Sequence, residues 1–143
     1  FFMALFVVVG GLTETGVIKQ VAAVIIERTA GHPVMMMLIL LWASALLSSF
    51  LNNIPFIATL IPLVLALKAD GMDAEPLWWA ISLGACLGGN GTMIGASANV
   101  VLSDISTKHG YPITFKSYLR VGMPFMLGSV FISMVFLLVK YAI

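Results

Sequence analysis

The sequence predicts an all-α membrane protein that combines transmembrane helices with one re-entrant helical hairpin and one broken helix. Apolar residues make up 61% of the chain and charged residues only 9%, whereas an ordinary soluble domain has about 25% charged residues. The charged residues also leave long gaps, such as the one between Arg28 and Lys68. Two clusters of polar residues and glycines interrupt the apolar stretches. A soluble domain needs a polar outer face, which such a chain cannot provide.

The composition excludes several classes of protein. A net charge of +1 leaves no basic stripe for nucleic acid, so no nucleic-acid partner is expected. The single cysteine, Cys86, excludes an internal disulfide and any cysteine-only metal site. The chain starts at Phe1 inside an apolar run and shows no signal-peptide pattern. This start predicts one piece of a longer membrane protein.

The first thirty residues predict the end of one helix and a second helix on the membrane surface. Residues 1–13 are apolar but fewer than the roughly 20 that a spanning helix needs, so they are its end. Over 14–30, apolar residues recur at helical spacing beside a face that carries Lys19 and Glu27, as in an interfacial amphipathic helix. The alternative is one continuous helix through Glu14. It would place Glu14 and Lys19 at membrane depth, which is costly unless they function there.

A re-entrant hairpin is predicted over 33–67. Its two apolar arms, 34–47 and 56–67, flank a polar tip. Each arm reaches only about 18–21 Å as a helix, less than the hydrocarbon core of about 30 Å. Two full crossings would expose the polar tip to lipid. A hairpin that turns inside the membrane instead buries the tip in protein or in a cavity.

A broken transmembrane helix is predicted over 77–102. Four glycines within eight residues interrupt it near the middle, and each costs a helix about 1 kcal/mol relative to alanine. A polar loop follows over 104–120. The apolar segment 121–140 then predicts an ordinary spanning helix.

Both interruptions carry neutral oxygen groups at the predicted membrane depth. Hydroxyl, amide and backbone carbonyl oxygens suit a hard cation such as Na⁺, and free N–H groups at half-helix N-termini suit an anion. The candidate substrate- and ion-binding residues are Ser48, Ser49, Asn52, Asn53, Pro55, Gly89, Asn90, Gly91, Thr92, Ser97 and Asn99. Among them, Asn53, Asn90 and Thr92 are the candidate Na⁺ ligands. We expect no cofactor other than Na⁺ or H⁺ as the coupling ion.

Polar residues in membranes also serve simply to hold helices together. That interpretation fits isolated residues such as Ser44 and Ser129 better than the two clusters. Gly84 and Gly88 form one Gly-x-x-x-Gly spacing, which is a weak signal of helix association. An enzyme is not expected, because the uncharged spans lack the paired groups of an intramembrane catalyst.

Two segments resemble signatures of the ion transporter superfamily. Its hairpin signature is similar to Ser48-Ser-Phe-Leu-Asn-Asn-Ile-Pro-Phe56 followed by Ala58-Thr-Leu-Ile-Pro62. Its broken-helix signature is similar to Gly84-Ala-Cys-Leu-Gly-Gly-Asn-Gly-Thr-Met-Ile-Gly-Ala-Ser-Ala-Asn-Val-Val101. The chain most resembles the arsenite permease and sodium–proton antiporter-like branch, which includes citrate transporter-like proteins and the melanosomal P protein.

The resemblance implies a transporter of two inverted repeats, of which residues 1–143 form the C-terminal one. The upstream repeat, or a second copy of the chain, would then be a partner, and the family implies a homodimer. In related sodium–dicarboxylate symporters a Ser-Asn-Thr hairpin tip helps bind both Na⁺ and a substrate carboxylate. Asn52 and Asn53 fall at that tip, and residues 89–92 would supply the facing contacts.

These observations predict a secondary active transporter in a multi-pass integral membrane protein of the plasma (inner) membrane. It would move a small inorganic or organic anion, arsenite or citrate-like, or Na⁺, coupled to a Na⁺ or H⁺ gradient. Na⁺ is favoured over a proton relay, because no carboxylate lies clearly at membrane depth. The alternative is a passive anion channel, or a scaffold subunit that does not transport. Accumulation of substrate against its gradient separates a transporter from a channel.

Overall fold

The computed structural model describes residues 32–51, 53–69 and 71–141, together with scattered positions before residue 32. Within these residues the regular structure is entirely helical, as expected for an all-α membrane protein. The helices are α1 (Pro33–Ser48), α2 (Asn53–Ala69), α3 (Ala74–Gly88), α4 (Ser97–Lys108) and α5 (Phe115–Tyr141). Helices α1, α2 and α5 each pack against α3, which is therefore the central helix. The apolar core includes Met37 and Leu41 of α1, Val64 and Leu67 of α2, Ile81 of α3 and Val130 of α5.

Helices α1 and α3 run parallel and touch through their backbones. A Cβ added to Gly84 would lie 2.5 Å from the carbonyl oxygen of Leu41, and one added to Gly88 would lie 2.7 Å from Cα of Ala45. Only glycine at these two positions permits so close an approach. The Gly-x-x-x-Gly spacing therefore joins two helices within this chain.

Helices α2 and α5 run antiparallel to α3. Asn53, at the start of α2, lies beside Gly89, just after the end of α3. At the opposite end of the bundle, the Tyr141 hydroxyl of α5 donates a 2.8 Å hydrogen bond to the Glu75 carboxylate of α3. The amine of Lys140 lies 3.5 Å from the same carboxylate. The two ends of α3 are thus held by different partners.

The chain over α1 and α2 has the shape of a hairpin. Pro33 at the start of α1 and Asp73, just after α2, line the same small cleft, so the chain returns to the end from which it started. The arms contain 16 and 17 residues, which is about 24–26 Å of helix. Both are longer than the predicted arms and still shorter than the roughly 30 Å hydrocarbon core. That the hairpin enters and leaves the membrane on the same side remains a prediction.

Helix α5 is the one helix among the described residues that is long and apolar enough to cross a membrane. Its 27 residues extend about 40 Å. Only 17% of its most apolar window is buried within the chain. Most of the α5 surface is therefore left for lipid or for further protein.

The loop before α5 is shorter than the predicted polar loop over 104–120. Helix α4 continues to Lys108, and α5 already begins at Phe115. The Lys108 amine pairs with the Asp104 carboxylate at 2.7 Å, one helical turn away, an arrangement that supports a polar helix end. Gly110, with φ of 87°, lies in the short turn that remains. The polarity that predicted a loop thus belongs to two helix ends.

The predicted segments 1–13 and 14–30 lie largely outside the described residues and stay predictions. Gly16 is described, and its φ of 75° is left-handed, which interrupts a continuous helix. Just before it, the Thr15 hydroxyl donates a 2.8 Å hydrogen bond to the carbonyl of Gly11. The backbone therefore turns at Gly16.

Candidate functional site

The break after α1 and the break after α3 meet in one polar cluster. Serine and asparagine favour such breaks because their side chains bond to backbone groups outside helices, and glycine favours them because a helix costs it the most backbone entropy. The buried Thr92 hydroxyl donates a hydrogen bond to the backbone carbonyl of Ser49. The same oxygen accepts a 3.1 Å hydrogen bond from the backbone N–H of Gly95. Thr92 thus connects the hairpin tip to the segment between α3 and α4.

Ser48 forms the second connection between the two breaks. Its fully buried hydroxyl oxygen lies in hydrogen-bonding contact with Oδ1 of Asn53 and 2.7 Å from the carbonyl oxygen of Ala85. The Ala85 carbonyl also accepts a 3.3 Å hydrogen bond from the backbone N–H of Gly89. A serine hydroxyl has one proton to donate. Three oxygens therefore converge here around a single hydroxyl proton.

Asn99, in the first turn of α4, holds the interrupted segment in place. Its side-chain amide donates to the carbonyl oxygen of Gly89 at 2.9 Å and to that of Thr92 at 3.1 Å. These carbonyls lie outside regular helix and need such partners when they are partly buried. The Asn99 amide therefore fixes the path of residues 89–92 against α4.

The glycines of the second break allow close contact between the two breaks. A Cβ on Gly89 would lie 2.9 Å from the Asn53 amide, and one on Gly91 would lie 3.0 Å from Cβ of Ser49. A Cβ on Gly95 would meet the Ser49 carbonyl oxygen at 2.8 Å. The two breaks could not approach in this way with larger residues at these positions.

The cluster is polar but uncharged. None of its hydrogen bonds involves an Asp, Glu, Lys or Arg side chain. Every buried side-chain nitrogen and oxygen of the described residues has a hydrogen-bond partner. The same residues contain no group of His, Cys, Asp and Glu that could hold a transition metal. Neutral oxygens of this kind suit a hard monovalent cation.

The cluster lies beside the apolar part of α5. A Cβ on Gly91 would lie 3.1 Å from Cε of Met126, which is fully buried. Met126 precedes Tyr141 by four helical turns, or about 22 Å. The cluster is therefore well separated from the end of the bundle where Tyr141 contacts Glu75.

The structure thus brings seven of the predicted site residues together. They are Ser48, Ser49, Asn53, Gly89, Gly91, Thr92 and Asn99. Ser49 contributes its backbone carbonyl, because its hydroxyl donates to the carbonyl of Leu46 at 2.6 Å. Ser97 is exposed in the first turn of α4, away from these hydrogen bonds. Asn52 and the side chain of Pro55 lie outside the described part of the chain.

Asn90 is set apart from the cluster. Its side chain has no hydrogen bond within the described residues and is half-buried. It lines a cleft of about 460 Å³ together with residues of the N-terminal part of α5. The predicted grouping of Asn90 with Asn53 and Thr92 around one ion therefore stays a prediction, with no direct contact to support it.

Three contributors to the cluster were missed by the sequence analysis. Ala85 takes part through its backbone carbonyl, which no side-chain pattern reveals. Gly95 lies inside the glycine run, and that run was the available signal. Met126 belongs to an apolar helix face, where nothing in the sequence distinguishes it from a lipid-facing methionine.

Comparison with known proteins gives independent evidence of the family to which the chain belongs. The family model described as citrate transporter matches residues 1–84. The human P protein is 44% identical over 151 residues, which cover 100% of this chain and 18% of that protein. The 46 kDa membrane protein of Mycobacterium leprae is 39% identical, covering 100% of this chain and 34% of that protein. An uncharacterized transporter of Mycobacterium tuberculosis is 40% identical, covering 99% of this chain and 34% of that protein.

The chain therefore spans 18% to 34% of the length of these relatives. No solved structure matches it.

Proposed function

The chain belongs to the citrate transporter family, and from this membership we propose that it forms part of a secondary active transporter for a small anion. We propose that a Na⁺ or H⁺ gradient drives the transport. The family description and the relative named as a transporter support a membrane transporter. The choice of substrate, coupling ion and mechanism is our proposal. It rests on the polar cluster.

The convergence of oxygens at Ser48 carries this proposal. Ser48 Oγ lies in hydrogen-bonding contact with both Asn53 Oδ1 and the Ala85 carbonyl oxygen, so three neutral oxygens converge at one point. A cation placed among them would be coordinated by three neutral oxygens. The backbone carbonyl of Ser49 and the hydroxyl of Thr92 lie on the facing side of the same cluster. These oxygens are the ligands we assign to the coupling ion.

Na⁺ fits this cluster better than a proton does. A proton relay in a membrane depends on titratable side chains, and none takes part in the hydrogen bonds of the cluster. Na⁺ needs only neutral oxygen ligands. We therefore propose Na⁺ as the coupling ion.

Citrate is the first substrate to test, because the matching family model is described by it. We further propose that the transporter is a homodimer in the plasma membrane. The site would be completed by the upstream repeat of the same protein or by a second copy of the chain. The length of the relatives, of which this chain covers 34% or less, supports a contribution from further chain.

The test is citrate uptake by the full-length protein in proteoliposomes. With an inward Na⁺ gradient, we expect labelled citrate to accumulate above its external concentration. A sodium ionophore should abolish the accumulation and a protonophore should not. Equilibration without accumulation would instead indicate a passive channel. Collapse with the protonophore alone would overturn Na⁺ coupling.

The Asn53→Ala variant tests the site itself. It removes the amide that lies against Ser48 and Gly89, so we expect loss of uptake with normal insertion into the membrane. Ser129→Ala is the matched control, because the Ser129 hydroxyl donates to the Phe125 carbonyl of its own helix and takes no part in the cluster. Normal uptake by Asn53→Ala would contradict the assignment.

A further inference from the structure

A cleft of about 460 Å³ lies between the second break and the N-terminal part of α5. Gly122 creates the close contact at its base, since a Cβ there would lie 2.7 Å from the carbonyl oxygen of Asn90. The volume falls within the range typical of small-molecule sites. The cleft does not include Ser48, Asn53 or Thr92 among its lining residues.

Three polar side chains line this cleft without a hydrogen-bond partner in the described part of the chain. They are the amide of Asn90 and the hydroxyls of Ser117 and Tyr118. Asn90 and Tyr118 are half-buried and Ser117 is exposed, so all three can be reached by a ligand in the cleft. Polar groups that converge unpaired on one cavity are available to a ligand.

The charges beside the cleft favour an anion. Lys116 and Arg120 border an adjoining groove that shares Ser117 and Val121 with the cleft. Neither cation has an ion-pair partner in the part of the chain that the structure describes. No acidic residue lines the cleft or the groove. The local field is therefore positive.

The apolar wall of the cleft favours an organic anion over a bare inorganic one. Ile113, Val121 and Phe125 complete the lining. A small carboxylate could place its hydrocarbon part against these side chains and its oxygens toward the amide and hydroxyl groups. A halide or phosphate would gain nothing from the apolar side.

We propose that this cleft binds the carboxylates of the transported organic anion, at a place separate from the cation cluster. The inference rests on the proposed function. Asn90 links the two places, because its neighbours Gly89 and Gly91 pack against Asn53 and Ser49 on the cluster side. Residues 89–91 thus face the cation on one side and the anion on the other. Both ions would contact the same short segment, so we expect their binding to be coupled.

The experiment measures the half-saturating concentrations of citrate and Na⁺ for uptake by the full-length protein in proteoliposomes. Tyr118→Phe removes one hydroxyl and Arg120→Gln removes one charge, and neither is part of the cation cluster. We expect Tyr118→Phe to raise the half-saturating citrate concentration about fivefold, as for the loss of one hydrogen bond. Arg120→Gln should raise it more than about twofold by weakening the positive field beside the cleft. The half-saturating Na⁺ concentration at saturating citrate and the Tm should stay at the wild-type values. Ser129→Ala serves as the control on the same helix.

Asn90→Asp gives a second, stronger test. It keeps the shape of the side chain but places a negative charge in the cleft, so citrate affinity should fall further than with Tyr118→Phe. Half-saturating citrate concentrations within twofold of wild type in all three variants would overturn this inference and leave the proposed function standing. A wild-type protein that carries no citrate, or that carries only an inorganic substrate, would overturn both.

Discussion

The Thr92 hydroxyl donates a hydrogen bond to the backbone carbonyl of Ser49 and thereby joins two chain breaks that are 43 residues apart. Both residues are completely buried. Each break leaves polar backbone groups that no helix satisfies. In this fold a side chain of the second break satisfies a carbonyl of the first, and Ser48 of the first break bonds to the Ala85 carbonyl near the end of α3. A cation site built at this contact would therefore depend on both breaks at once.

Replacement of Thr92 tests this connection. Thr92→Val keeps the shape but removes the hydroxyl that donates to the buried Ser49 carbonyl. The Gly95 N–H loses one of its two acceptors and keeps the backbone carbonyl of residue 92. Buried groups left unpaired cost about 1–3 kcal/mol each. We expect a lower Tm in detergent and strongly reduced citrate uptake. Thr92→Ser retains the hydroxyl and should keep most of the wild-type Tm and citrate uptake. If Thr92→Ser and Thr92→Val lose Tm and uptake equally, the Thr92 hydroxyl is not what joins the two breaks.

The backbone contact between α1 and α3 makes a prediction about stability. Gly88→Ala would place a Cβ 2.7 Å from Cα of Ala45. Backbone cannot move aside as a side chain can, so we expect destabilisation of about 1–3 kcal/mol, visible as a lower Tm and a lower yield of folded protein.

Gly128→Ala is the matched control for Gly88→Ala. A Cβ on Gly128 meets nothing within 4 Å, and alanine is the better helix former. Its Tm should equal or exceed that of the wild type. If Gly88→Ala has the same Tm as Gly128→Ala, the backbones of α1 and α3 are not in close contact at Gly88.

Asn99 provides an isosteric test of the interrupted segment. Asn99→Asp replaces an amide donor with a carboxylate that cannot donate, opposite the carbonyl oxygens of Gly89 and Thr92. Repulsion between these oxygens should displace residues 89–92 and reduce citrate uptake more than Asn99→Ala does. The comparison is made on initial uptake rates normalised to inserted protein. A milder effect of the aspartate would argue against these two hydrogen bonds.

Hydropathy and glycine content were enough to predict the helical class and the position of the two breaks. Uncharged stretches favour helices in a membrane, and clustered glycines with asparagines do not sustain one. The end of α4 at Lys108 and the start of α5 at Phe115 were harder to predict from the sequence. Polar residues at helix ends look like a loop, unless pairs such as Asp104–Lys108 are recognised.

The partners of each site residue could not be predicted. The Gly-x-x-x-Gly spacing of Gly84 and Gly88 indicates a close neighbour, but only the fold shows that it is α1. The Ala85 carbonyl has no side-chain signal at all. Asn90 and Thr92 are polar residues of the same glycine-rich break, yet Thr92 bonds within the cluster and Asn90 lines the cleft beside α5. Which neighbour a side chain faces depends on how the helices pack in the folded chain, and the local sequence does not encode that packing.

The most direct test of the central claim is the Na⁺ dependence of citrate uptake by the full-length protein with Ser48→Ala. This variant removes one of the three converging oxygens while the apolar packing of α1 on α3 is kept. We predict a half-saturating Na⁺ concentration at least about fivefold above that of the wild type, with Ser129→Ala unchanged. An unaltered Na⁺ dependence in a folded Ser48→Ala protein would contradict a cation site at the meeting point of the two breaks.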